Sequence, residues 1–201
     1  MKRIKLFTSL FVIVLLNKAM AQSKNDYGTV SKPPAFYIGV GSGLNNNCGL
    51  VGLKLGVRLS DKLLLDASAG VGSWGNKVGL GLVFNAINTN AWCPVISISR
   101  ATGINELPLK MEVQNMYGMG TVEVNMRYNP ATLFNISVQR QWIRKKGNRL
   151  VFEMGYSILI DGASYELLDN RYTLTSRSKN VMNVLKPGGL MLGFSYNFGV
   201  H

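Results

Sequence analysis

The sequence predicts an all-β fold: a closed antiparallel transmembrane β-barrel of ten strands, with eight as the alternative, behind a cleaved signal peptide. Three observations lead to this prediction. Apolar residues alternate with a period of two from Phe36 onward. The alternating segments run for about 9–13 residues, which is the length a membrane-spanning strand needs. The start of the chain has the three-part pattern of an export signal.

Composition limits the alternatives. Of 201 residues, 47% are hydrophobic and 16% are charged, and the formal net charge is +12. A disordered basic tail is excluded, because such a tail combines low hydrophobicity with many charges. Two cysteines are too few for a disulfide-stapled scaffold or a thiolate zinc cluster.

Residues 1–21 are predicted to be a signal peptide. Three basic residues among the first five precede a mostly apolar run, 6–16, which is shorter than the roughly 20 residues of a spanning helix. Ala19-Met20-Ala21 supplies a cleavage site of small residues, and cleavage after Ala21 would lower the net charge from +12 to +8. Residues 22–35 are polar and read as a flexible N-terminal lead, so the barrel is assigned to 36–201.

Alternation then defines the strands in order. The clearest apolar rows lie at 51–59, 63–71, 78–86, 122–128, 150–160 and 190–198. Nine segments are clear, and a closed bacterial barrel needs an even number with both termini on one side. A weaker tenth strand at 165–175 restores that parity.

Strand ends and faces indicate lipid rather than water outside the barrel. Glycines, small hydroxyls and opposite charges occupy the second face, as in the interior of a narrow barrel. Aromatic residues cluster at strand ends, which is typical of interfacial girdles. One level holds Phe36, Trp92, Tyr128, Tyr196 and Phe198, and the other holds Trp142. A soluble exported β-protein remains the alternative.

Connection lengths predict the orientation. Short connections at 60–62, 88–90, 129–130 and 161–164 alternate with longer ones at 44–50, 73–77, 102–120, 144–148 and 176–188. Outer-membrane barrels have short periplasmic turns and longer outer loops. The short set is therefore predicted to face the periplasm.

Three segments resemble a known group of proteins: the Ala19-Met20-Ala21-Gln22 junction, the opening strand Phe36-Tyr-Ile-Gly-Val-Gly-Ser-Gly43 and the closing Gly193-Phe-Ser-Tyr-Asn-Phe198. They are similar to small Gram-negative outer-membrane β-barrels of the outer-membrane protein A/X/W-like and PorT-like kind, over about residues 36–200. The resemblance implies assembly by the outer-membrane insertion machinery, which recognises an aromatic-ended last strand. This chain departs there, because Gly199-Val200-His201 follows Phe198.

Inward-facing charges predict a structural ion-pair network. The lumen of a barrel with about 8–10 strands is nearly filled by side chains. Opposite charges inside such a lumen are expected to form ion pairs, because an unpaired buried charge is costly. By alternation the network comprises Lys54, Arg58, Asp66, Lys77, Glu123, Arg127, Arg149 and Glu153. A narrow conducting pore is the alternative.

A basic cluster near one strand end predicts contacts to lipid A phosphates. Its residues are Arg140, Arg144, Lys145 and Lys146. Ionised donors bind phosphate oxygens strongly, and arginine can engage two oxygens at once. Ordinary solvated charge on a loop is the alternative.

Catalysis is not predicted. The one histidine, His201, is the last residue, which leaves no base for a hydrolase triad. Residues 70–75 spell G-x-G-x-x-G, but a turn and a strand follow in place of a helix, so no nucleotide site is expected. Cys48 and Cys93 are predicted at opposite ends of the barrel and therefore unbridged. Neither a metal, a cofactor nor a nucleic acid is expected.

The predicted function is a non-enzymatic integral outer-membrane β-barrel with an envelope-structural, surface-interaction or assembly and secretion-accessory role. Outer-membrane lipid, including lipopolysaccharide, and another envelope protein are the expected partners. A narrow channel or transporter for small or apolar solutes is the alternative.

Overall fold

The computed structural model describes residues 34–86, 92–116, 118–143, 147–162 and 164–200. These residues form twelve strands and one helix, which confirms the all-β class. The predicted signal peptide 1–21, nearly all of the predicted lead 22–35, and His201 lie outside the described residues.

Eight strands form a closed antiparallel barrel. β1 pairs with both β2 and β12, and its first residue, Phe36, lies opposite Val200. The order around the barrel is β1-β12-β9-β8-β5-β4-β3-β2. The strands are β1(Phe36–Leu44), β2(Val51–Arg58), β3(Leu63–Gly72), β4(Gly75–Phe84), β5(Trp92–Ala101), β8(Ala131–Ile143), β9(Arg149–Gly162) and β12(Gly189–Val200).

The predicted count of ten strands is wrong, and the alternative of eight is confirmed. The segments 122–128 and 165–175, predicted as barrel strands, belong to a second sheet of order β10-β7-β6-β11. Its strands are β6(Ile104–Asn115), β7(Gly118–Tyr128), β10(Tyr165–Leu167) and β11(Thr173–Leu174). The barrel closes without them because β5 pairs directly with β8, from Trp92 opposite Arg140 to Ala101 opposite Ala131.

This second sheet and the helix α1(Ser176–Leu185) form what we call the cap. One face of the sheet is apolar and packs on the helix residue Met182 and on barrel residues Trp74, Ala101 and Ala131. Its other face carries exposed charges on alternate residues, which suits water and not a filled lumen. No helix in the described part of the chain is long and apolar enough to cross a membrane.

The two ends of the barrel differ. Both described termini lie at one end, the terminal edge, together with the turn 59–62 and the ends of β4 and β8. The cap lies at the other end, the cap edge. Because β6 and β7 leave the barrel, β8 and β9 run opposite to the predicted directions. The predicted grouping of the short connections at one end is therefore wrong, because 129–130 and the end of β9 at Gly162 lie at the cap edge, whereas 59–62 lies at the terminal edge. β8, which precedes the predicted long loop 144–148, ends at the terminal edge.

Candidate functional site

The loop between β1 and β2 folds into the barrel from the cap edge. We call residues 45–49 the plug, since Asn46, Asn47 and Cys48 are buried within the lumen. Asn45 holds the plug at its start: its Nδ2 donates to Gly188 O at 2.7 Å, and its carbonyl accepts from Lys77 Nζ at 3.0 Å. This segment was predicted as an outer loop, and its inward fold is a correction.

Inward-facing glycines leave the space that the plug occupies. A Cβ built on Gly193 would lie 2.7 Å from Asn46 Nδ2, and one built on Gly79 would lie 2.9 Å from Asn47 Cβ. Both distances are shorter than ordinary van der Waals contact. The plug and larger side chains at these positions therefore compete for the same volume. The same holds for Gly41, Gly43, Gly52 and Gly70.

Asn47 ties the plug to the opposite wall. Its Nδ2 donates to Ser97 Oγ on β5 at 2.8 Å, and its Oδ1 accepts from Asn135 Nδ2 on β8 at 2.8 Å. Asn135 is fully buried and also donates to Ser99 Oγ at 3.1 Å and accepts from Ser157 Oγ. A buried polar group left without a partner is costly, so this network fixes the plug in one position.

A buried ion group lies below the plug. Lys54 Nζ is 2.8 Å from Asp66 Oδ2 and 3.9 Å from Glu153 Oε2, and Ser137 Oγ donates to Glu153 Oε1 at 2.6 Å. These residues come from β2, β3, β9 and β8, so the group spans the lumen. The structure thus brings together three of the eight charged residues that alternation placed inside.

Arg149 lies further toward the terminal edge. Its guanidinium donates to the Tyr37 hydroxyl and, at 3.1 Å, to Gln141 Oε1. Arg149 is buried, and Arg58, at the end of β2, is half-buried. This part of the predicted network is inside the barrel, but the hydrogen-bond partners of Arg149 are neutral groups and not carboxylates.

The remaining members of the predicted network do not join the ion group. Lys77 is buried at the cap edge, and its Nζ donates a hydrogen bond to the carbonyl oxygen of Asn45 in the plug. Glu123 and Arg127 lie on the exposed face of β7, and Arg127 Nη1 is 3.8 Å from Glu166 Oε2. Their predicted lumen position is wrong because β7 is a cap strand.

Of the basic cluster predicted to contact lipid A, the described residue is Arg140, which lies at the terminal edge. Its prediction on the long-loop side is wrong, because β8 ends where both described termini lie. Arg140 faces outward, with its Cζ 5.8 Å and 5.7 Å from the ring centroids of Trp92 and Trp142. The same contacts place Trp142 at the level of Trp92 and not at the opposite one. Arg144, Lys145 and Lys146 lie outside the described residues.

Little space remains in the lumen. A cavity of about 20 Å³ lies between the ion group and Arg149, and another of about 20 Å³ lies beside the plug, near Trp74 and Pro187. Each has room for about one water molecule. Among the residues described, no group of three or more His, Cys, Asp or Glu is placed to hold a metal ion. The lumen thus offers fixed polar contacts more than an open passage.

Two sequence features that resemble chemical sites have structural roles. Residues 70–75 are the hairpin between β3 and β4, and Gly75 adopts φ +90°, a conformation that favours glycine. Cys48 lies in the plug and Cys93 lies near the terminal end of β5, so the two cysteines lie at different levels of the barrel.

The cap is joined to the barrel through that hairpin. Trp74 stacks on Tyr128 with ring centroids 4.1 Å apart and planes at 10°, and its Nε1 donates to Asn129 O at 2.7 Å. Burial raises the pKa of Tyr128, so its hydroxyl stays protonated and lies 3.9 Å from Met182 Sδ. Tyr128, predicted in an aromatic girdle, is instead part of the cap core.

The outer wall of the barrel is an apolar belt. Residues at outward positions are exposed on every barrel strand, with Val71 59% and Phe194 60% exposed. The belt includes at least one exposed apolar residue from each barrel strand; in chain order, examples are Val40, Leu55, Val71, Leu80, Ile96, Ile136, Met154 and Phe194. Soluble monomers rarely expose a contiguous apolar surface of more than a few hundred Å².

Charges interrupt this belt only near its edges. At outward positions of the described barrel strands, the charged residues are Arg100 near the cap edge, Arg140 near the terminal edge, and Asp161 beyond a bulge in β9. Arg100 lies opposite Thr132, eight residues before Arg140 on β8. With about 3.3 Å per residue and a tilt of about 40°, the two arginines are separated by roughly 20 Å along the barrel axis.

Sequence reasoning does not anticipate the plug or Arg100. The Asn45-Asn46-Asn47 run reads as an ordinary polar loop, although the row of glycines facing it could have indicated an insert. The alternation of inward and outward residues along β5 could have identified Arg100, because it is the charged residue at the outward positions of that strand.

The chain matches no protein-family model, no curated protein and no solved structure.

Proposed function

We propose that the protein is a non-enzymatic integral outer-membrane β-barrel with a closed lumen and a cap that faces the outside of the cell. Its role is structural in the envelope, or it mediates surface interactions or accessory steps of assembly and secretion. The observation that carries the proposal is the apolar belt on all eight barrel strands. Such a surface needs a lipid environment or a covering partner.

The edges of the belt support a lipid environment. Trp92 and Trp142 flank Arg140 at the terminal edge, and tryptophan is enriched at membrane interfaces. The roughly 20 Å between Arg100 and Arg140 is comparable to the apolar band of about 25 Å in outer-membrane barrels. An outward arginine is tolerated near an interface far better than at the bilayer midplane.

The connections support the orientation. Those at the terminal edge have four to seven residues, and the two longest connections, which form the cap hairpin and the cap helix, arise at the cap edge. Short periplasmic turns and longer outer segments are the usual arrangement in such barrels. The predicted signal peptide is consistent with export, and the insertion machinery of the outer membrane is the expected assembly partner.

A surface-interaction role is supported by apolar residues on the cap. Met116 and Met119, at the tip of the β6–β7 hairpin, are 94% and 71% exposed, and Val184 on α1 is 85% exposed. These side chains lie away from the barrel wall, where lipid would not cover them. They offer a contact surface for another envelope protein.

A narrow channel is the second candidate, because the lumen is polar and a single loop closes its cap end. For ions or small solutes to pass, the plug must move out of the glycine-lined space that it occupies. Planar-bilayer recordings distinguish the two: the closed barrel gives no steady conductance, whereas unitary steps from the wild-type protein support the channel.

Membrane fractionation with heat-modifiable gel migration tests the main proposal. Expressed in a Gram-negative host, the protein is expected in the outer-membrane fraction, with unheated and heated samples migrating at different positions. A species that stays soluble without detergent and migrates identically before and after heating contradicts it.

A further inference from the structure

A groove indents the apolar belt near the cap edge. It has a volume of about 440 Å³ and lies across β4, β5 and β8. Val78, Leu80 and Ile98 form its apolar walls, and the strand backbone at Gly79 and Ser99, whose inward positions face the lumen, forms its floor. The groove is therefore a shallow, open depression in an apolar surface.

Arg100 closes the upper end of the groove. It is exposed and lies one residue before the end of β5, and its Nη1 donates a long hydrogen bond of 3.4 Å to Thr132 Oγ1. No carboxylate of the described chain lies within 4.0 Å of its guanidinium, including that of Asp161 on the next strand. Most of its donors thus remain available to an anion.

We propose that this groove binds one acyl chain of a phosphate-bearing lipid, whose phosphate is held by the Arg100 guanidinium. This inference rests on the proposed membrane location. An arginine offers paired donors in a geometry that matches phosphate oxygens, and the apolar walls exclude water beside it. An anionic amphiphile satisfies both halves of the site, whereas a neutral lipid leaves the guanidinium without its counterion.

The site differs from the surroundings of Arg140 at the terminal edge. Arg140 packs between Trp92 and Trp142, and the 440 Å³ groove includes none of these three residues. With the cap outside, Arg100 lies in the outer leaflet and Arg140 in the inner one. The inferred phosphate contact therefore lies at the edge of the belt opposite Arg140.

Native mass spectrometry of the detergent-solubilised full protein tests the site. The probe is dipalmitoyl phosphatidic acid, a lipid with a phosphate monoester and saturated chains, with inorganic phosphate in a parallel arm. Arg100→Gln removes the charge, and Leu80→Trp fills the groove while leaving the arginine. Arg177→Gln, on the exposed surface of α1, is the matched control for the lost charge. Heat-modifiable migration verifies that each variant is folded.

The wild-type protein and Arg177→Gln are expected to retain one bound lipid, and each groove variant is expected to bind it roughly tenfold more weakly. Equal binding by Arg100→Gln and Arg177→Gln, or unchanged binding by Leu80→Trp, would overturn the site. If inorganic phosphate displaced the lipid at concentrations similar to those of the lipid itself, the proposed binding of the acyl chain would be contradicted. Solubility of the wild-type protein without detergent, measured by fractionation, would contradict the proposed membrane location. The fractionation result is independent of the lipid-binding result, so failure of the two proposals can be distinguished.

Discussion

Asn135, on the barrel wall, donates a 2.8 Å hydrogen bond from Nδ2 to the Oδ1 atom of Asn47, in the plug. The plug enters between β1 and β2, and β8 lies on the opposite side of the ring, so this bond crosses the lumen. It also connects the plug to hydroxyl groups on two further strands. The interior is thus stabilised by polar contacts, while the apolar residues of the barrel strands mostly face outward.

Replacing Asn47→Ala should destabilise the barrel. The change leaves buried Asn135 and Ser97 without their shared partner, at a cost of about 1–3 kcal/mol. Urea unfolding of the protein in lipid vesicles measures the loss. Asn180→Ala, at an exposed position of α1, should leave the unfolding midpoint unchanged. Equal midpoints for all three proteins would contradict the role of the network.

Replacing Gly79→Val should displace the plug. The new side chain would occupy the space of Asn47 Cβ, 2.9 Å from the added Cβ, and the loop can yield more easily than the strand. In a Cys93→Ala background, Cys48 should then react faster with a water-soluble maleimide. Gly120→Val is the matched control, because an added Cβ there meets nothing within 4 Å. Unchanged reactivity of Cys48 would show that the plug does not depend on the space left by the inward-facing glycines.

Replacing Lys54→Met should destabilise the protein strongly. It leaves Asp66 and Glu153 buried without their cation, and breaking a buried pair in this way costs about 3–5 kcal/mol. Arg171→Met breaks an exposed pair of comparable length, 2.7 Å to Asp169, and should give no measurable change. Chemical unfolding of the two variants compares them. A larger loss for the exposed pair would refute the assignment of stability to the lumen.

The contrast between these charged groups shows what the sequence can and cannot predict. Lys54, Asp66 and Glu153 meet because alternation, a local property, already determines that they face inward. Glu123 and Arg127 have the same alternation, yet β7 packs in the cap. A period of two indicates that one face is covered, but whether lipid or another element covers it depends on distant pairing.

The cap and the plug are harder to predict for the same reason. The direct pairing of β5 with β8 joins Ala101 to Ala131 across a 29-residue insertion, and no local pattern marks that connection. Likewise, the plug is held by residues at positions 77, 97, 135 and 188, which are remote in the sequence. Strand faces follow from neighbours along the chain, whereas inserts follow from tertiary contacts.

Replacing Trp74→Ala should loosen the cap without opening the barrel. The variant loses the stack on Tyr128 and the 2.7 Å hydrogen bond to Asn129 O. Limited proteolysis should then cut between residues 102 and 130 more rapidly, while heat-modifiable migration persists. Trp142→Ala, on the outer wall, is the control and should leave cap proteolysis unchanged. Loss of heat-modifiable migration in Trp74→Ala would mean that cap and barrel fold as one unit.

The central claim is that the outer wall of the barrel is in contact with lipid, and cysteine labelling in intact outer membranes tests it most directly. In a Cys48→Ala, Cys93→Ala background, single cysteines replace Ile136 on the belt, Ser137 in the lumen and Thr121 on the exposed cap face. A water-soluble maleimide should label Thr121→Cys rapidly and the other two only after denaturation. Rapid labelling of Ile136→Cys in the native protein, at the rate of Thr121→Cys, would show that the belt faces water and contradict the account.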